Sequence, residues 1–566
     1  MTAYNFSQLI DFTRTSSGTF TDSTGKIAST PASKNLLTFT QEFDNAAWTK
    51  TDVAVSTNST AAPDGTTSAD TITEGIARTA FISQGVTTTG GVTYAASIFV
   101  KRGNTDWLRL VSSDGTNGYN LWINTATGAL GGNSTTGSGV YVSSTITDAG
   151  NGWYRVTLTG SNPLTTNGIR VNSATANLSS TRVSGATYAL WGAQLETGST
   201  ATTYTRNFGG RFPPRFDYDP ITLAPKGLLI EEQRTNLMLR SAEFDNASWQ
   251  KVAATVSANA ASAPDGINSA DAVVEDATNS VHTIFQDPAI AASTTYTWTV
   301  YAKRGAGSRN FYLQANLNGG TAGAGFAWFD LGTGVAAAPV ALIAPFTGAS
   351  SSMTPVGNGW YRCSFTFATN AGNTSVSCFT SIYNGARVYT GDGTSSIFIW
   401  GAQLEAGAFA TSYIPTVASQ VTRTADVATI SAPNFSSWFN ANEGAFIFSG
   451  DSAYGNGGFI GSTPTTGAIL YGNNGAARTF NGTNFIGTAN AATVNTRFVA
   501  ALSYSLTGRS IVLNAGTVST DANLIQQPTA ITLGGAFGGG YLNGHIRSLA
   551  YYPTRLTNQQ LQALTA

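Results

Sequence analysis

A long internal repeat constrains the fold of this chain more than any other feature. The block that begins at Asn35 recurs at Asn236, with a constant offset of 201 residues that drifts only later in the copy. The matching segments are 42–46 with 243–247, 62–65 with 263–266, 101–103 with 303–305, 150–155 with 357–362 and 191–196 with 400–405. Solenoid repeats are about 20–50 residues long. A repeat of this length therefore predicts two duplicated globular domains.

Within each copy the sequence alternates with a period of two residues. In the stretch 153–159, Tyr154, Val156 and Leu158 fall on one face of an extended strand. Gly, Asn, Asp and Pro residues separate such stretches at short intervals, and a helical period is lacking. The pattern predicts an all-β chain of tandem antiparallel β-sandwich (jelly-roll) domains.

The repeat also predicts the domain boundaries. We expect an N-terminal attachment or scaffold segment at 1–34, the first module at 35–204, a packed junction at 205–235, the second module at 236–416, and a different domain at 417–566. The junction is too aromatic and apolar for a flexible linker. We expect it to pack against 12–14 and 19–22 and to form a scaffold into which the first module is inserted.

The C-terminal end carries the clearest helix signal of the chain. Thr557 and Gln560 have the spacing of a capping box, and Leu556 and Leu561 have the spacing of a hydrophobic staple. These four residues predict a short helix that begins after Thr557.

Composition and charge exclude several classes of partner. Charged residues make up 10% of the chain, and 29 basic residues nearly balance 30 acidic ones. Nucleic-acid binding needs a basic surface, and a membrane span needs about 18 consecutive apolar residues, so neither partner is predicted. Cys363 and Cys378 are interpreted as buried free thiols, with a bond between neighbouring strands as the alternative.

The sequence gives no signature of catalysis. His282 and His545 are the two histidines, and no Ser–His, Cys–His, nucleophile-elbow or phosphate-loop pattern surrounds them. We therefore predict that the protein is not an enzyme. A glycosidase needs only two carboxylates, so polysaccharide depolymerisation stays open as an alternative.

Aromatic residues are the candidate ligand contacts. Tryptophans that recur in both modules are expected in the cores; they are Trp48, Trp153, Trp191, Trp249, Trp360 and Trp400. Sugars stack on exposed aromatic faces, so aromatics without an obvious counterpart in the other module are better candidates. They are Trp107, Tyr119, Trp122, Phe311, Tyr312 and Trp328. In the last domain the loop-like candidates are Tyr454, Asn456, Tyr471, Asn473, Asn474 and Tyr541, with solvated turns as the alternative.

Calcium is the one cofactor that the acidic residues suggest, since it prefers clustered carboxylate and carbonyl oxygens. The candidate ligands are Asp64, Asp70, Glu74, Glu196, Asp265, Asp271, Glu275 and Glu405. Capping of turns by Asp is the alternative reading. No other cofactor is expected, because the histidines and cysteines lack metal-ligand spacing.

The junction residues 214–237 resemble a segment of bacteriophage tail-fibre and head-fibre proteins. The two modules look like carbohydrate-binding-module jelly rolls, and 417–566 is similar to concanavalin-A-like or laminin-G-like lectin sandwiches, with a closing strand at 544–552. The resemblance implies a virion-surface fibre or receptor-binding protein that adheres to host-surface glycans without catalysis. It further implies a homotrimer that contacts other virion proteins, is made in the host cytoplasm and is exposed after release.

Two alternatives to this reading remain. One is a structural capsid or tail decoration protein without glycan binding, and the other is a polysaccharide-depolymerising tail spike. Such modules serve both as glycan readers and as spacers. A glycan array followed by a reducing-sugar assay distinguishes the three readings.

Overall fold

A computed structural model describes residues 10–31, 33–76, 79–207, 209, 212–430, 435–436, 438–453, 457–463, 468–481, 483–525, 527–535 and 540–566. Nearly all regular structure in these ranges is antiparallel β-strand. The predicted all-β fold class of tandem antiparallel sandwiches is therefore confirmed. No helix in the described ranges is long and apolar enough to cross a membrane.

The strands of the first part of the chain are β1 (Asp11–Thr13), β2 (Thr19–Thr21), β3 (Ile27–Ser29), β4 (Thr49–Thr51), β5 (Val53–Thr60), β6 (Ala69–Glu74), β7 (Phe81–Thr87), β8 (Thr93–Arg102), β9 (Trp107–Ser113), β10 (Gly118–Asn124), β11 (Ala129–Thr136), β12 (Val140–Gly150), β13 (Trp153–Ser161), β14 (Thr166–Ala174) and β15 (Thr187–Thr197). Those of the junction and second module are β16 (Arg215–Tyr218), β17 (Pro225–Ile230), β18 (Arg234–Asn236), β19 (Gln250–Val252), β20 (Ala254–Ser262), β21 (Asn268–Glu275), β22 (Asn279–Ser280), β23 (Thr283–Gln286), β24 (Thr295–Arg304), β25 (Asn310–Asn318), β26 (Gly323–Asp330), β27 (Val335–Ala336), β28 (Val340–Ile343), β29 (Thr347–Pro355), β30 (Tyr361–Ala368), β31 (Ser375–Tyr383), β32 (Tyr389–Thr390) and β33 (Ser396–Ala406). The remaining elements are β34 (Val421–Arg423), β35 (Val427–Ile430), β36 (Glu443–Gly450), β37 (Gly457–Thr463), β38 (Ala468–Asn473), β39 (Ala476–Phe480), β40 (Phe485–Gly487), β41 (Phe498–Ser505), β42 (Gly508–Leu513), β43 (Ser519–Asp521), β44 (Ala530–Leu533), β45 (Gly544–Tyr552) and helix α1 (Asn558–Leu564).

The chain divides into two compact units. The inserted unit contains 10–13 and Pro31–Pro213, and the main unit contains Arg14–Thr30 and Pro214–Ala566. The chain leaves the main unit after Thr30 and returns to it at Pro214. The inserted unit therefore interrupts the main unit in the sequence.

The two modules have the same strand order. In the inserted unit the sheets run β12-β13-β8-β15-β6-β5 and β11-β10-β9-β14-β7-β4. In the main unit the second module has the corresponding orders β29-β30-β24-β33-β21-β20 and β27-β26-β25-β31-β23-β19. The repeat in the sequence is thus a repeat of the whole two-sheet sandwich.

The recurring residues hold equivalent positions in the two cores. The indole of Trp48 donates to the carbonyl of Phe39 at 2.8 Å, and that of Trp249 donates to the carbonyl of Arg240 at 3.0 Å. All six recurring tryptophans are buried, which confirms that they belong to the fold. Cys363 and Cys378 are free and buried, as interpreted from the sequence, and burial raises the pKa of both thiols.

The junction supplies two strands of the C-terminal sandwich. One of its sheets runs β16-β17-β45-β36-β41-β42-β43, and the other contains β35-β44-β37-β38-β39-β40. β17 pairs with β45 through Leu228 opposite Ile546. The sandwich that was expected within 417–566 therefore draws two more strands from the preceding junction.

Helix α1 follows its sequence signal closely. The Thr557 side chain accepts from the backbone N–H of Gln560, and the Gln560 side chain accepts from the backbone of Thr557, which completes the predicted capping box. Leu556 and Leu561 are buried in one apolar cluster, as a hydrophobic staple requires.

A buried cluster of charged side chains joins three segments of the main unit. Arg14 contacts Asp426 at 2.7 Å, Arg215 contacts both Asp426 and Glu231, and Arg423 lies 3.4 Å from Glu231. Burial lowers the pKa of Arg14 to about 10, although the charge of Asp426 opposes this shift. Arg215 also donates to the carbonyl of Thr19 at 2.9 Å, so the cluster links residues 14–19 to residues 215–231 and 423–426.

Asp217 and Asp451 flank His545 within the main unit. Nε2 of His545 lies 2.8 Å from Asp217 and Nδ1 lies 2.7 Å from Asp451. Burial alone lowers the pKa of His545, but the hydrogen bonds to Asp217 and Asp451 outweigh it and raise the pKa above its ordinary value. The two carboxylates therefore favour the protonated form of His545.

This bridge predicts a pH-dependent stability of the main unit. Because the folded pKa of His545 is raised, its stabilising contribution is complete below the unfolded pKa of about 6.5 and disappears as the pH rises through the folded value. As the pH rises through the folded pKa of His545, we expect the midpoint temperature of thermal unfolding of the wild type to fall relative to that of His545→Gln. Scanning calorimetry of both proteins across the range checks this, and parallel pH profiles would contradict it.

Candidate functional site

The second module presents an aromatic outer face on one sheet. In β25, Phe311, Leu313 and Ala315 point into the core, so Tyr312 and Gln314 point outward. The register places Trp328 of β26 directly opposite Tyr312. Strand alternation thus collects side chains from four neighbouring strands on this face.

We define the aromatic face as the six aromatic rings that point outward from strands β23, β25, β26 and β31 of this sheet. They are Phe285, Tyr312, Phe326, Trp328, Phe379 and Tyr383. Trp328 stacks on Tyr383 with ring centroids 5.7 Å apart, and Tyr312 makes edge contacts with Phe326 at 5.6 Å and with Tyr383 at 6.0 Å. All of these rings except that of Tyr312 are half-buried and keep part of their surface in solvent.

Polar groups lie beside these rings. The guanidinium of Arg387 lies over Phe326 at 5.2 Å and donates to the Gln314 side chain at 2.7 Å. The Gln314 amide in turn donates to Asn316 at 2.8 Å. Aromatic surface with a few fixed hydrogen-bonding groups is the usual composition of a small-ligand site.

Of the candidates in the second module, Tyr312 and Trp328 lie on the aromatic face. The expectation for Phe311 is corrected, because strand alternation turns its ring into the core, where it stacks on Phe329 at 5.1 Å. Phe285 was not predicted from the sequence, and neither were Phe326, Phe379 and Tyr383. The alternation of the strands could have indicated three of them. Phe326 is two residues from Trp328, and Phe379 is four residues from Tyr383, so each pair lies on one face of its strand.

The first-module candidates fall into two groups. The expectation that Tyr119 contacts a ligand is corrected, because its ring lies in the core and its hydroxyl accepts from Ser112 at 3.0 Å. Trp107 is half-buried on the outer face of β9. Trp122 lies on the same face but is buried, and its indole donates to the carbonyl of Ser179 at 2.7 Å.

The candidate ligand residues of the C-terminal domain are not part of the aromatic face. Tyr454 and Asn456 lie outside the described residues. Tyr471 and Asn473 lie in strand β38 rather than in a loop, which corrects their expected setting, and Asn474 forms the turn to β39 with a positive φ of 51°. Tyr541 is half-buried just before β45, where burial raises its pKa.

The acidic candidates for calcium are each engaged separately. Asp64 and Asp265 cap turns by accepting from Thr66 and Ile267. The others bind side chains or backbone N–H groups: Asp70 with Phe43, Asp271 with Phe244, Glu74 with Ser173, Glu275 with Arg309, Glu196 with Thr202 and Glu405 with Thr411. Among the residues that the structure describes, no group of three or more His, Cys, Asp or Glu is placed to hold a metal ion.

The main unit also contains a polar cleft of about 570 Å³. Hydroxyl groups from β24, β29 and β30 line it together with Asp217, Glu231, Asp451 and His545. Burial raises the pKa of Glu231 and Asp451, but Arg423 and Arg215 lower that of Glu231 and His545 lowers that of Asp451. In both cases the charged partners prevail, and the pKa lies below its usual range.

No protein-family model matches this sequence, and no curated protein matches it either. Among solved structures, the N-terminal CBM22 tandem domain of Paenibacillus barcinonensis Xyn10C is 13% identical, with a TM-score of 0.24, covering 67% of this chain and 99% of that one. Domains LG4-5 of the mouse laminin alpha1 chain are 13% identical with a TM-score of 0.17, covering 48% and 86%. A Trypanosoma rangeli sialidase with sialic acid is 10% identical with a TM-score of 0.20, covering 92% and 98%.

Proposed function

We propose that this chain is a non-catalytic glycan-binding protein and that the aromatic face of its second module binds saccharides. The observation that carries the proposal is the half-buried, stacked pair of Trp328 and Tyr383 beside Arg387 and Gln314. The apolar C–H face of a sugar ring packs on an aromatic ring, while its hydroxyls exchange hydrogen bonds with nearby polar groups. The face offers both kinds of contact on one rigid sheet.

The biological setting is part of the same proposal. The chain is a receptor-binding fibre on the surface of a bacteriophage particle, where it contacts other virion proteins and forms a homotrimer. This setting is supported by the resemblance of residues 214–237 to fibre proteins. Repetition of weak saccharide contacts around a trimer raises the overall avidity through effective concentration.

Two of the cleft acids, Asp451 and Glu231, favour adhesion over depolymerisation. A glycosidase needs one carboxylic acid that keeps its proton near neutral pH. Asp451 and Glu231 have lowered pKa values because His545 and two arginines attract their charged forms. Neither side chain is suited to donate a proton to a glycosidic oxygen.

The aromatic face predicts a specific loss of affinity. We expect Trp328→Ala to weaken binding of the best oligosaccharide from a glycan array by about tenfold, because a stacked ring contributes about 0.5–1.5 kcal/mol beyond its buried area. Titration calorimetry with the full chain measures the change. Phe485→Ala is the matched control, since Phe485 is a 61% exposed aromatic on the C-terminal sandwich.

Three outcomes would contradict the proposal. An array without hits would favour a structural decoration protein, and equal losses for Trp328→Ala and Phe485→Ala would remove the aromatic face as the site. Reducing-sugar release from any hit by the pure chain would show a depolymerase instead of an adhesin.

A further inference from the structure

The corresponding face of the first module has different chemistry on the same framework. Leu108 and Leu110 of β9 point into the core, so Arg109 points outward. The register places Arg109 opposite Trp122, as it places Tyr312 opposite Trp328 in the second module. An arginine therefore stands where the second module has a tyrosine.

A second exchange lies on the neighbouring strand. Arg170 of β14 is opposite Val111, as Phe379 of β31 is opposite Gln314 in the second module. Arg170 and Arg109 are thus diagonal neighbours on one face, a relation that brings residues to about 7–8 Å. Two positions that hold aromatic residues in the second module therefore hold arginines in the first module.

A third arginine comes from the loop between β14 and β15. Burial lowers the pKa of Arg109, and the charges of Arg182 and Arg170 lower it further. Burial also lowers the pKa of Arg182; Glu74 opposes this shift and Arg170 adds to it. The three guanidinium groups are therefore close enough to repel one another.

Among the described residues no carboxylate forms an ion pair with Arg109, Arg170 or Arg182, although the charge of Glu74 acts on Arg182. The oxygens of Glu74 accept from Ser173 and from the hydroxyl of Tyr188 at 2.9 Å. The ion pairs in the described part of the inserted unit belong to Arg102 and Arg206 instead. Half-buried cations without a counter-ion are unfavourable, and a bound anion would relieve the repulsion.

Two of the three guanidinium groups lie against aromatic rings, whereas Arg182 donates to the carbonyls of Ala80 and Ser180. Arg170 lies on the ring of Phe81 at 4.1 Å, and Arg109 lies on that of Trp122 at 5.0 Å. Arg109 donates to Asn120 at 2.8 Å, while its buried Nε has no acceptor among the described residues. Stacking fixes each planar fork, and such forks bind carboxylate and sulfate oxygens with paired hydrogen bonds.

We propose that this arginine face, formed by Arg109, Arg170 and Arg182 with Phe81 and Trp122, binds an anionic saccharide. The carboxylate or sulfate group of the sugar is held between the guanidinium groups, and the half-buried rings of Trp107 and Phe81 contact its ring. This site goes beyond the proposed function, because it lies in the other module and takes a different class of ligand. The duplicated sandwich therefore carries two specificities.

Matched pairs of probes test the charge requirement on the full chain. One pair is oligogalacturonate and its methyl ester, which tests a carboxylate, and the other is dextran sulfate and dextran, which tests a sulfate ester. We expect binding of at least one charged member and not of its neutral partner. Binding should weaken as salt rises from about 50 to about 300 mM, because ions screen exposed charges.

Substitutions locate the site. We expect Arg170→Gln to weaken binding of the charged probe by about tenfold or more and Arg170→Lys to cause a smaller loss, since lysine keeps the charge without the fork. Arg102→Gln removes the same charge from an exposed side chain of the same unit and should leave affinity within about twofold. Unchanged unfolding curves establish that each variant is folded.

The outcomes separate the two sites. Trp328→Ala should leave binding of the charged probe intact, so failure of either site does not imply failure of the other. Equal affinity for charged and neutral members, or equal losses for Arg170→Gln and Arg102→Gln, would overturn the proposal. Stronger binding of a single-stranded oligonucleotide than of either charged saccharide would reassign the arginine face to nucleic acid.

Discussion

Replacing Asp426 with alanine should lower the free energy of unfolding of the main unit by about 3–5 kcal/mol, the range for breaking a buried ion pair. The Asp426 carboxylate contacts Arg14 and Arg215 and also accepts from the backbone N–H of Glu231 at 2.9 Å. Both arginines are almost fully buried. Without Asp426 their charges lose a close partner where water cannot replace it.

Hydrogen exchange with mass spectrometry resolves this effect by unit, because local and global opening change the protection of individual peptides. Peptides of the main unit should lose protection, and those of the inserted unit should not. Glu243→Gln is the control, since its pair with Arg240 is partly exposed and such pairs contribute about 0–1 kcal/mol. A similar effect of both substitutions would show that the cluster does not stabilise the fold.

Replacing Trp48 or Trp249 with alanine should cost about 3–5 kcal/mol in each case, the range for truncation of a buried Trp. Each side chain is 1% exposed and packs on a phenylalanine, Phe43 or Phe244 respectively. We expect Trp48→Ala to destabilise only the inserted unit and Trp249→Ala only the main unit.

Urea unfolding followed by exchange of unit-specific peptides measures both changes. Trp328→Ala provides the comparison, because Trp328 is half-buried on an outer face and its removal leaves no large core cavity. It should cost clearly less than Trp249→Ala. Loss of protection in both units after either core substitution would contradict two independently stabilised sandwiches.

Features that depend on local pattern could be predicted from the sequence. The duplicated sandwiches follow from the repeat and its period of two, and helix α1 follows from Thr557 and Gln560. The burial of the recurring tryptophans was also expected, because a fold requirement preserves equivalent positions in both copies. Local spacing determines each of these features.

Features that depend on strand register could not be predicted. The pairing of β17 with β45 joins residues far apart in sequence, and no local pattern indicates it. Tyr119 and Phe311 were misplaced because a shift of one residue exchanges the two faces of a strand. The neighbours of Trp328 on the aromatic face became known only when β26, β25 and β31 were aligned side by side.

The insertion of the first module also has a consequence for synthesis on the ribosome. Arg14 is made before its partner Asp426, which follows 412 positions later. At about 5–20 residues per second, Arg14 waits roughly 20–80 s for that partner. The inserted module can complete its own core during this delay, before Arg14 can pair with Asp426.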